Sequence, residues 1–459
     1  MKSICVLGLG YIGLPTASMF AMHGHTVVGV DVNEHVVWEL NHGNVHLQEP
    51  GLKNCVQAAL QSGSMVVSSR PEPCDAFIIA VPTPLLDDRS SDNGIEPGRS
   101  RRADLSYVRS ATEAVLPFLR AGNLVILEST SPPGTAEKLV VPILERSGLK
   151  VGRDLFVAHC PERVLPGSIL EELVHNDRII GGVDRASAEL ARSFYSCFVK
   201  GQIILTDATT AELVKLMENT YRDVNIAMAN EFALVAEHNG IDVWEAIDLA
   251  NRHPRVNILK PGPGVGGHCI AVDPWFIVES APEVTPLIQA SRNVNEGMPA
   301  RVVELVKQAV SASGKVTIAC LGLAYKADVD DIRESPAVEV VRLLQVDGFQ
   351  VRAYDPHVEC GKVTGQVNSL EEALENAEAI VLLTDHREFR ELRPDQLGNL
   401  PAVTVIDTRR TIADEAWILA GLEVWRLGTG RVIREVTAAG NEAGLAEVDR
   451  KAQALWRAI

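Results

Sequence analysis

A chain of 459 residues is too long for one compact core, so two or three domains are expected. A hydrophobic share of 46% and a charged share of 22% are those of a globular protein, and a formal net charge of −17 argues against nucleic acid, whose phosphates need a basic face. No apolar run approaches the roughly 18 residues of a membrane helix, the first residues enter a strand with no room for a signal peptide, and the eight cysteines lack any C-x-x-C pair. A reducing, cytoplasmic setting without metal or disulfides is therefore expected.

Ser3 to Leu7 reads as an apolar strand broken at Gly8-Leu9-Gly10-Tyr11-Ile12-Gly13, with a helix over residues 14–23. This is G-x-G-x-x-G in its strand-to-helix setting. The first glycine permits the turn, the second lets backbone approach a pyrophosphate, and the third lets helix pack closely on strand. The next strand, residues 26–30, runs into Asp31, placed to accept the ribose hydroxyls and to repel a 2′-phosphate, which favours NAD over NADP. Strands at residues 76–81, 124–127 and 155–158 each run into a polar cluster at the edge where ligands gather in an open parallel sheet. These clusters contain Thr83, then Thr130, then the pair Glu162-Arg163. The threonines serve equally well as helix caps, and the pair equally well as a surface ion pair. Residues 87–102 read as an exposed polar loop, and a strand at 203–205 closes the domain.

Residues 209–239 keep a helical period without proline, from Thr-Thr-Ala-Glu to Asn239-Gly240. Such a helix, roughly 45 Å long at 1.5 Å per residue, bridges domains or subunits. Lys215, Asn219 and Arg222 share one of its faces. A solvated polar face is the ordinary reading of such a stripe. Asparagine between two cations, with no acid in the stripe, points instead to an anion or hydroxyl site. After a second helix over 243–251 comes Asn251-Arg252-His253-Pro254-Arg255-Val256-Asn257, a local basic cluster suited to a diphosphate. The loop Pro261-Gly262-Pro263-Gly264-Val265-Gly266-Gly267-His268-Cys269 follows, with Asp273 four residues beyond the thiol. Its glycines let backbone approach a ligand and its prolines stiffen it, so Cys269 is held in place. Taken alone, the loop reads as a tight turn with a core cysteine.

Residues 316–325 echo residues 4–11, the strand at 350–354 runs into Asp355 as residues 26–30 run into Asp31, and residues 379–383 echo 76–80. The expected architecture is α/β, with two doubly wound Rossmann-like domains, residues 1–205 and 306–459, joined by a central helical domain, 206–305, that carries the long bridging helix. In the second copy the middle glycine of the fingerprint is Ala324, and residues 326–336 are inserted before the helix. A second dinucleotide is therefore not expected. This half suits the nucleotide end of a substrate, with Lys326 and Arg333 reaching the shared cleft. Residues 431–459 are helix-prone and carry no evident chemistry.

Five ordered blocks make the chain resemble the nucleotide-sugar 6-dehydrogenases, the family of UDP-glucose and GDP-mannose dehydrogenases. They are Gly8-Leu9-Gly10-Tyr11-Ile12-Gly13-Leu14-Pro15, Ser129-Thr130-Ser131-Pro132-Pro133-Gly134-Thr135, Pro161-Glu162-Arg163-Val164-Leu165-Pro166-Gly167, Gly264-Val265-Gly266-Gly267-His268-Cys269 and Asp331-Ile332-Arg333-Glu334-Ser335-Pro336. Residues 221–227, 251–257 and 269–276 look most like the branch that acts on UDP-N-acetyl-D-mannosamine. Ala103 departs from a proline often found there.

The resemblance implies a four-electron oxidation of a sugar primary alcohol to a carboxylate by two NAD, for surface polysaccharide synthesis, with UDP-N-acetylglucosamine and UDP-glucose as alternative substrates. Passing beyond the aldehyde needs a nucleophile, because a hydride leaves only from a tetrahedral carbon; Cys269 takes that role through a thiohemiacetal and a thioester. The same resemblance implies Lys215 and Asn219 at the oxyanion, Glu162 and Asp273 as bases in an order left open, and Thr130 positioning water or nicotinamide. Gly8, Gly10, Tyr11, Ile12, Gly13, Asp31, Thr83, Thr130 and Arg333 would line the NAD site. Arg163, Val164, Lys215, Asn219, Arg222, His253, Arg255, Gly266 and Lys326 would line the UDP-sugar site. A homodimer or higher assembly sharing an arginine across its interface is expected as well. A two-electron 3-hydroxyacid-type dehydrogenase would explain the fingerprint, Lys215 and Asn219, but leaves the thiol loop and the last domain without a task.

Overall fold

In a computed structural model of the chain, residues 2–86, 101–165, 167–310, 316–397 and 404–432 are described. Most of the 87–102 loop and of the 431–459 tail therefore lies outside the described residues.

The first sheet holds β1 (Ser3–Leu7), β2 (Thr26–Val30), β3 (Met65–Ser68), β4 (Ala76–Ile79), β5 (Leu124–Leu127), β6 (Phe156–His159), β7 (Arg178–Gly182) and β8 (Ile203–Asp207), in the order β3-β2-β1-β4-β5-β6-β7-β8. All neighbours are parallel except β6 and β7, which run antiparallel. β1 shows why its sequence is a continuous apolar run: Ile4 and Val6 face one hydrophobic core, Cys5 and Leu7 the other, and helices cover both. β3 and β7 escaped the sequence reading. β7 begins on Arg178 and ends on two glycines, leaving too short an apolar run to register.

The second sheet holds β9 (Thr317–Leu321), β10 (Gln350–Tyr354), β11 (Ala379–Leu382), β12 (Thr404–Asp407), β13 (Glu423–Arg426) and β14 (Gly430–Arg431), in the order β10-β9-β11-β12-β13-β14. β9 alternates as β1 does, with Ile318 and Cys320 on one core and Ala319 and Leu321 on the other. The winding repeats that of the first sheet without a counterpart of β3 among the described residues. The expectation of two doubly wound α/β sheets is met.

Seven helices matter for the site: α1 (Gly13–Met22), α2 (Arg185–Tyr195), α3 (Ala208–Asn239), α4 (Val243–Ala250), α5 (Asp273–Ser280), α6 (Pro286–Ala309) and α7 (Pro336–Val346). α3 starts where the Asp207 carboxylate accepts from Thr210 N–H and stops where Gly240 turns left-handed at φ 67°. Its buried alanines 211, 227, 229, 233 and 236 permit close approach of neighbours, and α6 packs along it. Between the two, Asp223 accepts from Arg292 at 2.6 Å and from Asn295 at 2.8 Å, Asn230 donates to Asn295 at 2.9 Å, and Gly262 N–H donates to Asn230 at 2.9 Å. This buried relay anchors the start of the thiol loop. Among the described residues, no helix is long and apolar enough to cross a membrane.

Candidate active site

The first fingerprint forms an open cradle. Gly8 turns left-handed at φ 94°, and a Cβ there would sit 2.5 Å from the Ala80 carbonyl oxygen; at Gly13 it would sit 1.8 Å from that of Gly8. These two glycines are needed by the fold itself. Gly10 differs: it is exposed, and nothing lies within 4 Å of where its Cβ would be. That open backbone is what a pyrophosphate requires. Asp31 is half-buried and holds the loop by accepting from Leu9 N–H at 2.9 Å and Asn33 N–H at 2.8 Å. Tyr11 is exposed beside it, and half-buried Ile12 leads into α1. Thr83 caps no helix; its hydroxyl donates to the Thr130 carbonyl at 2.7 Å and stitches the ends of β4 and β5 together. Arg333 arrives from the far domain. It forks onto Asp331 at 3.0 and 2.6 Å, and the charges of Asp330, Arg333 and Asp331 all act on Tyr11.

The thiol loop departs from expectation in what its glycines serve. A Cβ on Gly266 would meet Tyr325 Cβ at 2.6 Å and the Glu334 carbonyl at 2.7 Å, and one on Gly267 would meet the Tyr325 ring at 2.9 Å. Gly264, at φ 132°, packs on Asn295 and Pro336, and Gly267 N–H donates to the Arg333 carbonyl at 3.0 Å. The close approach of Gly266 and Gly267 is to Tyr325 and the last domain's inserted segment.

What the loop presents is Cys269, exposed, whose carbonyl accepts from Asp273 N–H at 2.8 Å as the chain turns into α5. The Asp273 carboxylate is buried and accepts from Asn219 Nδ2 at 2.6 Å. The polar stripe of α3 thus finds its acid on another helix. Burial pushes Asp273 up to about 6, opposed by the Lys215 ammonium and then by the Asn219 bond. Crowding by protein raises the Cys269 thiol, the Asp273 charge raises it further, and Lys215 and Arg333 oppose them. Cys269, Lys215, Asn219 and Asp273 form one electrostatic unit.

Other expected residues stand apart from that unit. Glu162 is buried, with Oε1 accepting from Arg163 N–H at 2.7 Å and Oε2 from Arg178 at 2.8 Å, and it is not among the principal charges acting on Cys269. Arg163 is committed to Glu218 at 2.5 Å and to the Asp177 carbonyl at 3.1 Å, while Val164 packs against the first core. Arg222, His253, Arg255 and Lys326 are exposed, and none forms an ion pair among the described residues.

Sequence reasoning missed Arg409, which follows β12. Its guanidinium lies against the thiol loop, so that a Cβ at Gly262 would be 2.6 Å from Nη1, and its Nε has no partner. Burial lowers its pKa, against the charge of Asp385. The pair Arg409-Arg410 at a strand end could have signalled it, had β12 been recognised.

The UDP-glucose/GDP-mannose dehydrogenase family models match this chain in three parts: the NAD binding domain over residues 2–199, the central domain over 209–297 and the UDP binding domain over 319–414. A UDP-N-acetyl-D-mannosamine dehydrogenase of Methanocaldococcus jannaschii is 50% identical, covering 94% of this chain and 97% of the relative. An NDP-N-acetyl-D-galactosaminuronic acid dehydrogenase of Ralstonia nicotianae is 48% identical over 89% of this chain and 96% of its own length. The solved UDP-D-ManNAc dehydrogenase of Pyrococcus horikoshii superposes with a TM-score of 0.85 at 45% identity, covering 94% of this chain and all of that one.

Proposed function

The chain belongs to the UDP-glucose/GDP-mannose dehydrogenase family and is an NAD-dependent UDP-sugar dehydrogenase, and from that premise we propose that it oxidises the primary alcohol of UDP-N-acetyl-D-mannosamine to the carboxylate in two steps. The sugar follows the names of the similar proteins. The four-electron outcome rests on one observation: an exposed thiol coupled to Lys215, Asn219 and Asp273. A two-electron alcohol oxidation has no use for that thiol.

Gly8, Gly10, Tyr11, Ile12, Gly13, Asp31 and the Thr83–Thr130 edge would hold NAD, which would supply the hydride acceptor for each oxidation. Lys215 stabilises the oxyanion of the reacting C6 oxygen, and Asn219 keeps Asp273 oriented beside it. With its thiol pKa raised, Cys269 rests protonated and must lose that proton as it adds to the aldehyde. Asp273, at about 6, is ionised at neutral pH and takes it. The thiohemiacetal gives up its hydride to become a thioester, and water releases the uronate. Glu162 is the second carboxylate available for base work. Arg222, His253, Arg255, Lys326 and Arg409 supply the cationic grip on the diphosphate.

We place the domains at 1–205, 206–305 and 306–459, and the enzyme in the cytoplasm, feeding surface polysaccharide synthesis. We further propose a homodimer through α3, where Leu213, Met217, Tyr221, Met228, Phe232 and Val235 stand 36–70% exposed along one stripe. An arginine of the 251–257 block would cross to the neighbouring subunit's site.

Counting NADH tests the chemistry. Two per UDP-sugar are expected, whereas one, with aldehyde as the final product, would refute the four-electron reading. Cys269→Ser should retain substrate binding and lose completed turnover by about a thousandfold or more. A panel of UDP-N-acetylmannosamine, UDP-N-acetylglucosamine and UDP-glucose tests the sugar, and preference for either of the last two overturns it.

A further inference from the structure

Arg178, the first residue of β7, is 5% exposed and serves two buried carboxylates at the ligand edge of the first sheet. Its Nη2 donates to Glu162 Oε2 at 2.8 Å, its Nη1 donates to Cys160 Sγ at 3.4 Å, and its guanidinium carbon stacks 4.6 Å from the centre of the Tyr195 ring. Glu128, just after β5, lies 3.8 Å from Nη1 and accepts instead from the Tyr195 hydroxyl at 2.6 Å; its other oxygen is buried without a close hydrogen-bond partner among the described residues.

One guanidinium cannot fully neutralise two carboxylates. Glu128 shows the deficit, because burial and the repulsion of Glu162 push it up to about 7 against the pull of Arg178. As a stabiliser such a cluster is poor, since apolar packing of equal volume does as well without desolvating three ions. What it does provide is orientation. Glu162 has two anchors, its neighbour's N–H and Arg178, and only the second sets the direction of the outer oxygen. The same loop is tied through Arg163 to Glu218, on the turn of α3 that bears Lys215 and Asn219.

We infer that Arg178 is a positioning residue for the reaction, fixing the Glu162 carboxylate at the end of β6, with Glu128 as the rival acceptor that Tyr195 holds back. This rests on the reading of Glu162 as one of the two bases. Groups facing Glu128 are Arg178 from β7, Glu162 and Cys160 from the loop after β6, Tyr195 from α2 and Thr16 from α1.

The experiment compares Arg178→Lys, Glu162→Gln and their combination in single-turnover and steady-state assays of the purified enzyme. Arg178→Lys should slow the same half-reaction as Glu162→Gln, by tenfold or more, with the KM for UDP-sugar within twofold. The combined variant should be no slower than Glu162→Gln alone. If Glu162→Gln slows the reaction while Arg178→Lys does not, or if the two losses multiply, the inference falls and the base reading stands. A Glu162→Gln enzyme at full rate sinks both. Should Arg178→Lys not fold, Glu128→Gln removes the rival at nearly constant volume. With the rival gone, Arg178 stays on Glu162, so Glu128→Gln should turn over at least as fast as the parent with the KM for UDP-sugar within twofold, and a tenfold loss of rate would overturn the inference.

Discussion

The two sheets start from the same device and end with different uses for it. In each, a glycine near φ 95° follows the first strand, donates to the last carbonyl of the neighbouring strand at 2.8 Å, and faces an acid after that strand, Asp31 or Asp355. Asp31 is half-buried and holds two N–H groups of its own edge. Asp355 is sealed in, accepting from Leu323, Ala324, His357 and Val358 N–H and from His386 at 3.0 Å. His386 in turn accepts from Asp328 N–H at 2.9 Å, so the counterpart of Asp31 braces the 326–335 segment in the second half. A nucleotide acid becomes a structural one once the protein satisfies it from within. The freed segment then crosses to Tyr11 and packs on the thiol loop.

The strongest way to break this contrast is to delete each acid. Asp355→Ala orphans three buried N–H groups and a part-buried fourth and should cost at least about 3 kcal/mol in thermal or urea unfolding. Asp31→Ala should leave the fold nearly as stable, so an equal loss in both variants would erase the distinction.

Acid titration sharpens it at a smaller magnitude. Asp355 is held down to about 2 by its His386 and backbone bonds, below the 3.8 of an ordinary aspartate. Its contribution of about 2 kcal/mol is therefore complete above pH 4 and lost as pH falls through 2. Glu128 of the first half, and Glu212, which reaches from α3 to the Gly134 and Ala136 N–H groups of that half, are raised to about 7, mainly by burial, so the folded form binds their protons more tightly and acidification from pH 8 to 5 strengthens it. Asp407, also raised by burial, gives the last half some of the same trend, which confines the divergence to below pH 4. Asp75, which accepts from Ser3 N–H of β1 at 2.8 Å, is held low as well, but it is largely exposed and contributes less. Hydrogen exchange of β1 and β9 peptides across pH 8, 5 and 3.5 should show β9 losing more protection than β1 at the last step.

Ligand binding gives the next effect. Asp31→Ala should raise the KM for NAD about tenfold, or about 1.4 kcal/mol, with the KM for UDP-sugar unchanged. The smallest effect is expected of Gly10→Ala, which meets open space and should shift unfolding by less than about 1 kcal/mol while weakening NAD binding. A stability loss above that would mean the position serves the fold, as Gly13 does.

Much of this was legible in the sequence because it rests on local rules. Alternating cores, the strand–glycine–helix fingerprint and the Asn239-Gly240 stop of α3 each follow from a few adjacent residues, whereas the start of α3 is capped by Asp207 and not by the Thr-Thr-Ala-Glu run, whose glutamate reaches Gly134 and Ala136 instead. The repeat was visible for the same reason. β7 and β12 were not, being short and charged at an end, and with them went Arg178 and Arg409. The partners of Glu162 and Asn219 lie 16 and 54 residues away, beyond any periodicity argument.

By itself, then, the sequence determined the two windings, the dinucleotide cradle, the family and the thiol as the residue to watch, since each is written in contiguous blocks. Only the tertiary structure decided that the loop's glycines serve the neighbouring domain, that Asp273 completes the α3 stripe, and that Arg178 holds Glu162. Burial and long-range pairing set charge and direction, and neither exists until the distant segments meet.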